Sequence, residues 1–516
     1  MGRPERPETI PALLALRGQV DADRRAIVTA DDAITYRELD DRSATLAAAL
    51  VSAGVGKRDR VGLLAPNGID WAVTAMAALR IGAVLVPLST LLRAPELLAQ
   101  LRAGSVAHLI AARSFRDRRY LDELGVVAAG GRPVEAPALR NVWALDDLPV
   151  AGVDAALIDA LEVRVRPADD LAVLFTSGSR GAPKGTIHTH GAALRAVASG
   201  LAVRCIGPGE RLYIPMPFFW TGGFSQGLLT VLVAGATLLT EAEPDPAQTL
   251  ALLEREQATL FRGWPDQAAR LAAHPAFASA DLSSLGDASL GPVLPADRRP
   301  APGARANLFG MTETFGPWCG SRLDTDLAEA KRGSCGVPLE GTEVLVVDPE
   351  SGHEVGEGEP GELWVRGPNL MRGICGRPRS EVFTVDGWYR TGDLGRVDAE
   401  GYVWYSGRLD DMVKVKGATV YPSEVEAALR TVPGVHQAFV TDIAPDGAAE
   451  IAALVITEAL LDDVRAATRE RLSAFKVPTR WVLTTDAGAA PMLASGKVDK
   501  PGLQQLLLDK GTKGTS

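Results

Sequence analysis

"RVGLLAPNGIDWAVTAMAALRIGAVLVPL", residues 60–88, carries two short apolar runs on either side of a longer stretch with helical spacing. Residues 60–65 and 83–88 are brief and almost wholly apolar, the pattern of strands buried on both faces. Residues 69–80 read as a helix that Gly82 stops. Strand, helix and strand in succession predict a parallel sheet covered by helices, an α/β fold.

The same alternation extends in both directions. Residues 36–53 suit an amphipathic helix ended by Gly54, and Asp245 with Pro246 opens a helix ahead of a strand at "ATLFRG" and a second helix at "PDQAARLAAH". Beyond residue 340 the texture changes to "EVLVVD", "GELWVRG" and "GYVWYSG", separated by glycine-rich turns, which predicts antiparallel hairpins and a small barrel-like subdomain over about residues 336–406. A final α+β unit follows. The expected architecture is a large domain of parallel α/β sheets with that β-rich subdomain, residues 1–408, and a small mobile α+β domain, residues 409–516. The tail "KGTKGTS" is expected to be disordered.

A chain of 516 residues is too long for one core. Hydrophobic content of 46% and charged content of 23% describe a globular protein, and a net charge of −10 without a basic, aromatic-bearing stripe argues against nucleic acid. The N-terminus lacks the apolar core of a signal peptide. The longest apolar run, "GLLTVLVAGATLL", is too short to span a bilayer, so a cytoplasmic location and no membrane span are expected. Four widely spaced cysteines give neither a disulfide framework nor a zinc site.

The most chemically loaded stretch is "LFTSGSRGAPKGTIHTHG", residues 174–191. A glycine-rich turn after a strand turns backbone N–H groups toward one point, and its hydroxyls and lysine add donors and charge, which suits a polyphosphate. It is not the common triphosphatase loop, because Gly185 rather than serine or threonine follows Lys184. Alone, such a loop is more readily a solvated surface turn.

The order "FTSGSRGAPKG", "FGMTET" at residues 309–314, "YRTGDLG" at 389–395, "YSGRLDDMVKVKG" at 405–417 and "SGKVDK" at 495–500 resembles the adenylate-forming superfamily, nearly end to end. That resemblance implies activation of a carboxylate by ATP to an acyl-adenylate, then transfer to a thiol. It implies that Thr176, Ser177, Gly178, Ser179, Arg180, Gly181 and Lys184 wrap the outer phosphates. Glu313 would hold Mg2+ and Thr312 would meet the α-phosphate. Phe309 would lie against adenine, in place of the tyrosine common in relatives, with Gly310, Met311, Gly291 and Pro292 nearby. Asp393 and Arg408 would grip the ribose, and Lys497 would contact the carboxylate and α-phosphate. Asp410 would be the hinge of a domain swing that brings Lys414, Lys416 and Gly417 to the coenzyme A side.

In "YIPMPFFWTGGFSQG" Trp220 stands where the family usually has histidine, and no carboxylate is present to pair with an amino-acid ammonium group. Phe219, Trp220 and Trp264 are therefore the expected walls of a pocket for a hydrophobic acid, fatty, aryl or bulky alicyclic. Phe218 and Phe224 suit the core as well as the pocket. The leading expectation is an acyl-CoA synthetase using ATP, Mg2+ and coenzyme A. Three alternatives stay open: a ligase proficient only in thioesterification, because Arg180 replaces the usual threonine or serine; an enzyme that loads a carrier protein; and a non-catalytic ligand-binding relative. A homodimer and a partner adenylating ligase are open as partners.

Overall fold

Apolar runs at residues 60–64 and 84–87 become neighbouring strands, and the stretch between them becomes the helix Ile69–Arg80, buried at every residue but Asp70. A helix apolar all round must be packed on all sides. Its one buried charge, Arg80, is compensated by Asp40 at 2.7 Å and Glu162 at 2.6 Å. These elements belong to a computed structural model that describes residues 7–125, 136–150, 152–176, 183–411, 413–415, 418–445, 449–472, 476–493 and 498–513.

The seven-stranded sheet runs Gly373–Ile374, Lys184–Thr189, Asp170–Thr176, Val84–Pro87, Arg60–Leu64, His108–Ala111, Asn141–Ala144. From Asp170–Thr176 to Asn141–Ala144 the neighbours are parallel, and the two strands at the other edge are antiparallel. A five-stranded sheet has the order Leu260–Phe261, Arg211–Tyr213, Thr237–Leu239, Arg25–Val28, Ala33–Thr35, parallel except for the last pair. The helix Tyr36–Ser52 starts where expected, on a capping box in which Thr35 and Glu38 each accept the other's backbone N–H. Asp245 likewise caps Pro246–Arg255.

The apolar run at residues 227–239 is a buried element, divided among the π-helical stretch Phe224–Leu229, the helix Thr230–Ala234 and the strand Thr237–Leu239. Among the described residues no helix is long and apolar enough to cross a membrane. All four cysteines are free.

The chain divides into two compact units. The first comprises residues 1–343 and 366–389 and holds both large sheets together with a three-stranded one, Phe309–Met311, Gly316–Gly320 and Val337–Pro338. The second comprises residues 344–365 and 390–516, so the β-rich strands group by compactness with the C-terminal residues. The sequence reading places the boundary at residue 408 instead, with the β-rich strands on its N-terminal side. Glu343–Val347, Gly361–Arg366, Tyr389–Val397 and Val403–Arg408 form one four-stranded sheet, which lies in the second unit except for the boundary residues Glu343, Arg366 and Tyr389. Val435–Ile443, Glu450–Thr457, Arg480–Thr484 and Thr512–Lys513 form another.

The tail is a correction to the sequence reading. Lys510 ends the helix Lys500–Lys510, and Thr512–Lys513 pair antiparallel with Trp481 and Arg480. Apolar Leu503 and Leu507 anchor that helix in a core with Leu454 and Ala490, so part of the segment expected to be disordered is an ordered sheet edge.

Candidate active site

Lys184 opens the strand Lys184–Thr189, paired across the hairpin with Thr176. Its ammonium donates to Glu313 Oε1 at 2.6 Å and to the Tyr389 hydroxyl at 3.1 Å, and that hydroxyl donates to the same Oε1 at 3.1 Å. The ammonium also lies 5.6 Å from the centre of the Tyr389 ring. Glu313 is almost buried. Burial would push its carboxyl up, but the Lys184 charge, the Lys184 hydrogen bond, its own backbone and the Tyr389 hydroxyl outweigh that and hold it below the usual glutamate range. It is an ionised carboxylate in a low-dielectric pocket.

A short turn, Thr312–Thr314, presents Glu313. The turn is closed by the Phe315 N–H donating to Thr312 O at 3.0 Å and by the Thr314 hydroxyl donating to Gly316 O at 2.7 Å. Phe315 then takes a left-handed φ of 58° with no exposure, its ring 4.7 Å from His188 and 6.0 Å from Phe224. Enclosed there, the His188 imidazole is pushed down to about 4 by burial, despite the attraction of Glu313.

Phe309, Gly310 and Met311 form the strand that leads into this turn, and the Phe309 ring stands edge-on to buried Trp318 at 5.3 Å. Gly291 and Pro292 lie in a short turn hung from the strand Leu260–Phe261 by the Leu290 N–H donating to Phe261 O.

Three aromatic residues expected around the acid do come together. Phe219 meets Trp220 at 5.2 Å and Trp220 meets Trp264 at 5.8 Å, both edge-on. The chain can turn beneath them because a Cβ on Gly223 would lie 2.2 Å from Pro217 O. Phe218 and Phe224 instead pack against Trp71, at 5.2 and 5.7 Å, with no exposure, and belong to the core.

In the second unit Asp393 and Arg408 are antiparallel neighbours, with the guanidinium 3.0 Å from Asp393 Oδ1 and 2.9 Å from Thr391 O. Gly392, directly before Asp393, has φ +71°, and a Cβ there would sit 2.9 Å from the Arg408 guanidinium. The backbone of Gly392 is further held by Glu362, which accepts its N–H at 2.9 Å. Asp410 falls in the short turn Leu409–Asp411 and Lys414 in the strand Val413–Val415. Ser177, Gly178, Ser179, Arg180, Gly181, Lys416, Gly417 and Lys497 lie outside the described residues.

Tyr389 and Glu362 carry parts of these clusters that sequence reasoning did not assign. Tyr389 begins the quoted "YRTGDLG" and had a signal in its motif; Glu362 is one residue among many acidic ones and had none.

Glu313 suits a magnesium ion. It is ionised and presents hard oxygen, and among the described residues no group of three histidine, cysteine, aspartate or glutamate side chains could hold a metal by itself. A magnesium ion bound by one carboxylate completes its shell from phosphate and water.

The model of the AMP-binding enzyme family matches residues 15–375. A feruloyl-CoA synthase of an Amycolatopsis species is 34% identical over 495 residues, 94% of this chain and 96% of that protein. A methyl-dioxo-octahydroindenyl-propanoyl:CoA ligase of Mycobacterium tuberculosis is 34% identical over 527 residues, 96% and 99% of the two chains. Among solved structures, an anthranilate CoA ligase in complex with anthranoyl-AMP superposes with a TM-score of 0.79 at 25% identity, covering 97% of each chain.

Proposed function

This chain belongs to the AMP-binding enzyme family and is an AMP-forming acid–CoA ligase that uses ATP and coenzyme A, and on that premise we propose that its acid is a bulky hydrophobic carboxylate, ring-bearing rather than linear. The observation that carries the acid's character is the assembly of Phe219, Trp220 and Trp264. Three aromatic faces favour flat or polycyclic surface, and the stretch that supplies Phe219 and Trp220 contains no carboxylate for an ammonium group. The relatives' names, feruloyl and a bicyclic propanoyl, point the same way.

The first chemical step requires a carboxylate to approach an anionic α-phosphate, so catalysis is charge management. Lys184, now held by Glu313 and Tyr389, is the ammonium that would turn to the outer phosphates, while Thr312, next to Glu313, would reach the α-phosphate. Magnesium bound at Glu313 would neutralise phosphate charge as a Lewis acid. Tyr389 keeps Glu313 oriented when Lys184 leaves it. Asp393 would accept hydrogen bonds from ribose hydroxyls with Arg408 beside it. Lys497 would serve adenylation, and a swing about Asp410 would bring Lys414, Lys416 and Gly417 to the thiol for the second step.

A panel tests this reading: ferulate, decanoate, a bicyclic propanoate and phenylalanine, each assayed for ATP–pyrophosphate exchange and for thioester formation with coenzyme A. Ring acids should react best and phenylalanine not at all. Trp220→Ala should lower kcat/KM for them roughly 10- to 150-fold, equivalent to about 1.5–3 kcal/mol of lost apolar contact. Preference for phenylalanine, or indifference to Trp220→Ala, rejects the acid assignment. Thioester from supplied acyl-adenylate without exchange would select the thioesterification-only reading that Arg180 suggests.

A further inference from the structure

We propose that Ser225 is a positioning residue through which occupancy of the acid pocket sets the geometry of the Glu313 turn. The proposal rests on the reading of Glu313 as the carboxylate that meets magnesium. The aromatic wall and the carboxylate turn belong to distant parts of the sequence, and a buried serine hydroxyl joins them.

The wall runs directly into that serine. Phe224 N–H donates to Trp220 O at 2.9 Å, and the next residue, Ser225, lies in the π-helical stretch Phe224–Leu229. Such wide turns are uncommon and concentrate at functional sites. This one is braced from below: Thr230 Oγ1 donates to Ser225 O at 2.9 Å, and the buried Arg204 guanidinium donates to Thr230 Oγ1 at 2.8 Å and to Gln226 O at 2.6 Å.

The Ser225 hydroxyl, fully buried, accepts from Gln226 Nε2 at 2.8 Å and donates to Phe315 O at 2.6 Å. Phe315 is the residue of left-handed φ directly after the Glu313 turn. A non-glycine residue keeps that conformation only where its surroundings enforce it. The bonds from Phe315 N–H to Thr312 O and from Thr314 Oγ1 to Gly316 O are internal to the turn, while Met371 N–H donates to Glu313 O at 2.8 Å, Lys184 and Tyr389 hold the Glu313 carboxylate, and Gln226 Nε2 also reaches Phe315 O at 3.4 Å. Among these ties the Ser225 hydroxyl, at 2.6 Å from Phe315 O, is the short one that comes from the chain segment whose preceding residues line the proposed acid pocket.

Binding of the acid orders Trp220 and the residues after it, which fixes Ser225, the Phe315 carbonyl and so Glu313. By linkage the effect is reciprocal: acid tightens the magnesium–nucleotide complex, and the complex tightens acid by the same factor.

Calorimetry of the magnesium complex of α,β-methylene-ATP, with and without a saturating concentration of the panel acid of lowest KM, measures this coupling without turnover. In the parent protein the acid should tighten nucleotide about fivefold or more, within the usual range of coupling between sites. In Ser225→Ala that factor should fall below about twofold, while affinity without acid and the melting temperature stay close to the parent values. Ser225→Cys, with a weaker donor of similar shape, should fall between. No coupling in the parent, or undiminished coupling in Ser225→Ala, overturns the proposal. A fall in melting temperature with the coupling intact would show a structural role only and also overturns it. Glu313→Gln separates the two readings: if its nucleotide affinity keeps full dependence on magnesium, the assignment of Glu313 has failed, whatever Ser225 does.

Discussion

Glu313 illustrates how a few ångströms decide a protonation state. Its carboxyl is buried enough to favour the neutral acid, and contacts from Lys184 and Tyr389 at 2.6 and 3.1 Å reverse that preference. Tyr389→Phe removes one donor, so the carboxyl should titrate at higher pH than in the parent. The acid limb of the pyrophosphate-exchange profile should move up in pH, and kcat should fall about tenfold or more, because hydrogen bonds to charged groups are the strong ones. Overlapping profiles with equal kcat would remove Tyr389 from the site. At this scale the sequence was informative wherever a motif fixes spacing: "FGMTET" and the lysine of "APKG" named both ends of the 2.6 Å pair. It placed Tyr389 in a motif without its role and was silent on Ser225, because both roles depend on which distant turn a hydroxyl reaches, and no local pattern records that.

The secondary elements were more legible than their partners. Strand–helix–strand over residues 60–88, the helix Pro246–Arg255 and the hairpin-rich stretch beyond residue 340 follow from apolar period, capping residues and glycine punctuation. The tail was misread because Gly511 and the polar residues around it resemble a frayed end, whereas Leu503 and Leu507 bury against a sheet that sequence alone does not place. Thr512–Lys513 cover one side of the strand that holds buried Trp481, with the Thr512 hydroxyl on Trp481 O at 3.2 Å. Deleting residues 512–516 should cost about 1–3 kcal/mol by thermal unfolding, the loss of two or so net hydrogen bonds, and should promote self-association in sedimentation velocity by uncovering a sheet edge. A variant as stable and monodisperse as the parent would mean that the pairing contributes nothing.

Across the whole molecule, two buried histidines tie stability to pH. Burial pushes both His188 and His190 down to about 4 from an ordinary value of 6.5. A base whose folded pKa is depressed binds its proton more readily when unfolded, so the fold is unaffected above about 6.5 and weakens as pH falls toward about 4. Each histidine contributes a slope of about 1.4 kcal/mol per pH unit in that window. Denaturant midpoints at pH 7, 6 and 5 should decline accordingly, and His188→Leu should flatten the decline by one histidine's share; an unchanged slope would contradict this. The discontinuity of the first unit bears on how the protein is made. Its strand Lys184–Thr189 receives its outer neighbour only from Gly373–Ile374. At about 5–20 residues per second on a ribosome, the interval before that neighbour emerges is roughly 10–40 s. For that time the nascent chain carries an open sheet edge beside Lys184, the lysine proposed to meet the outer phosphates, and a slower codon run downstream would lengthen the exposure.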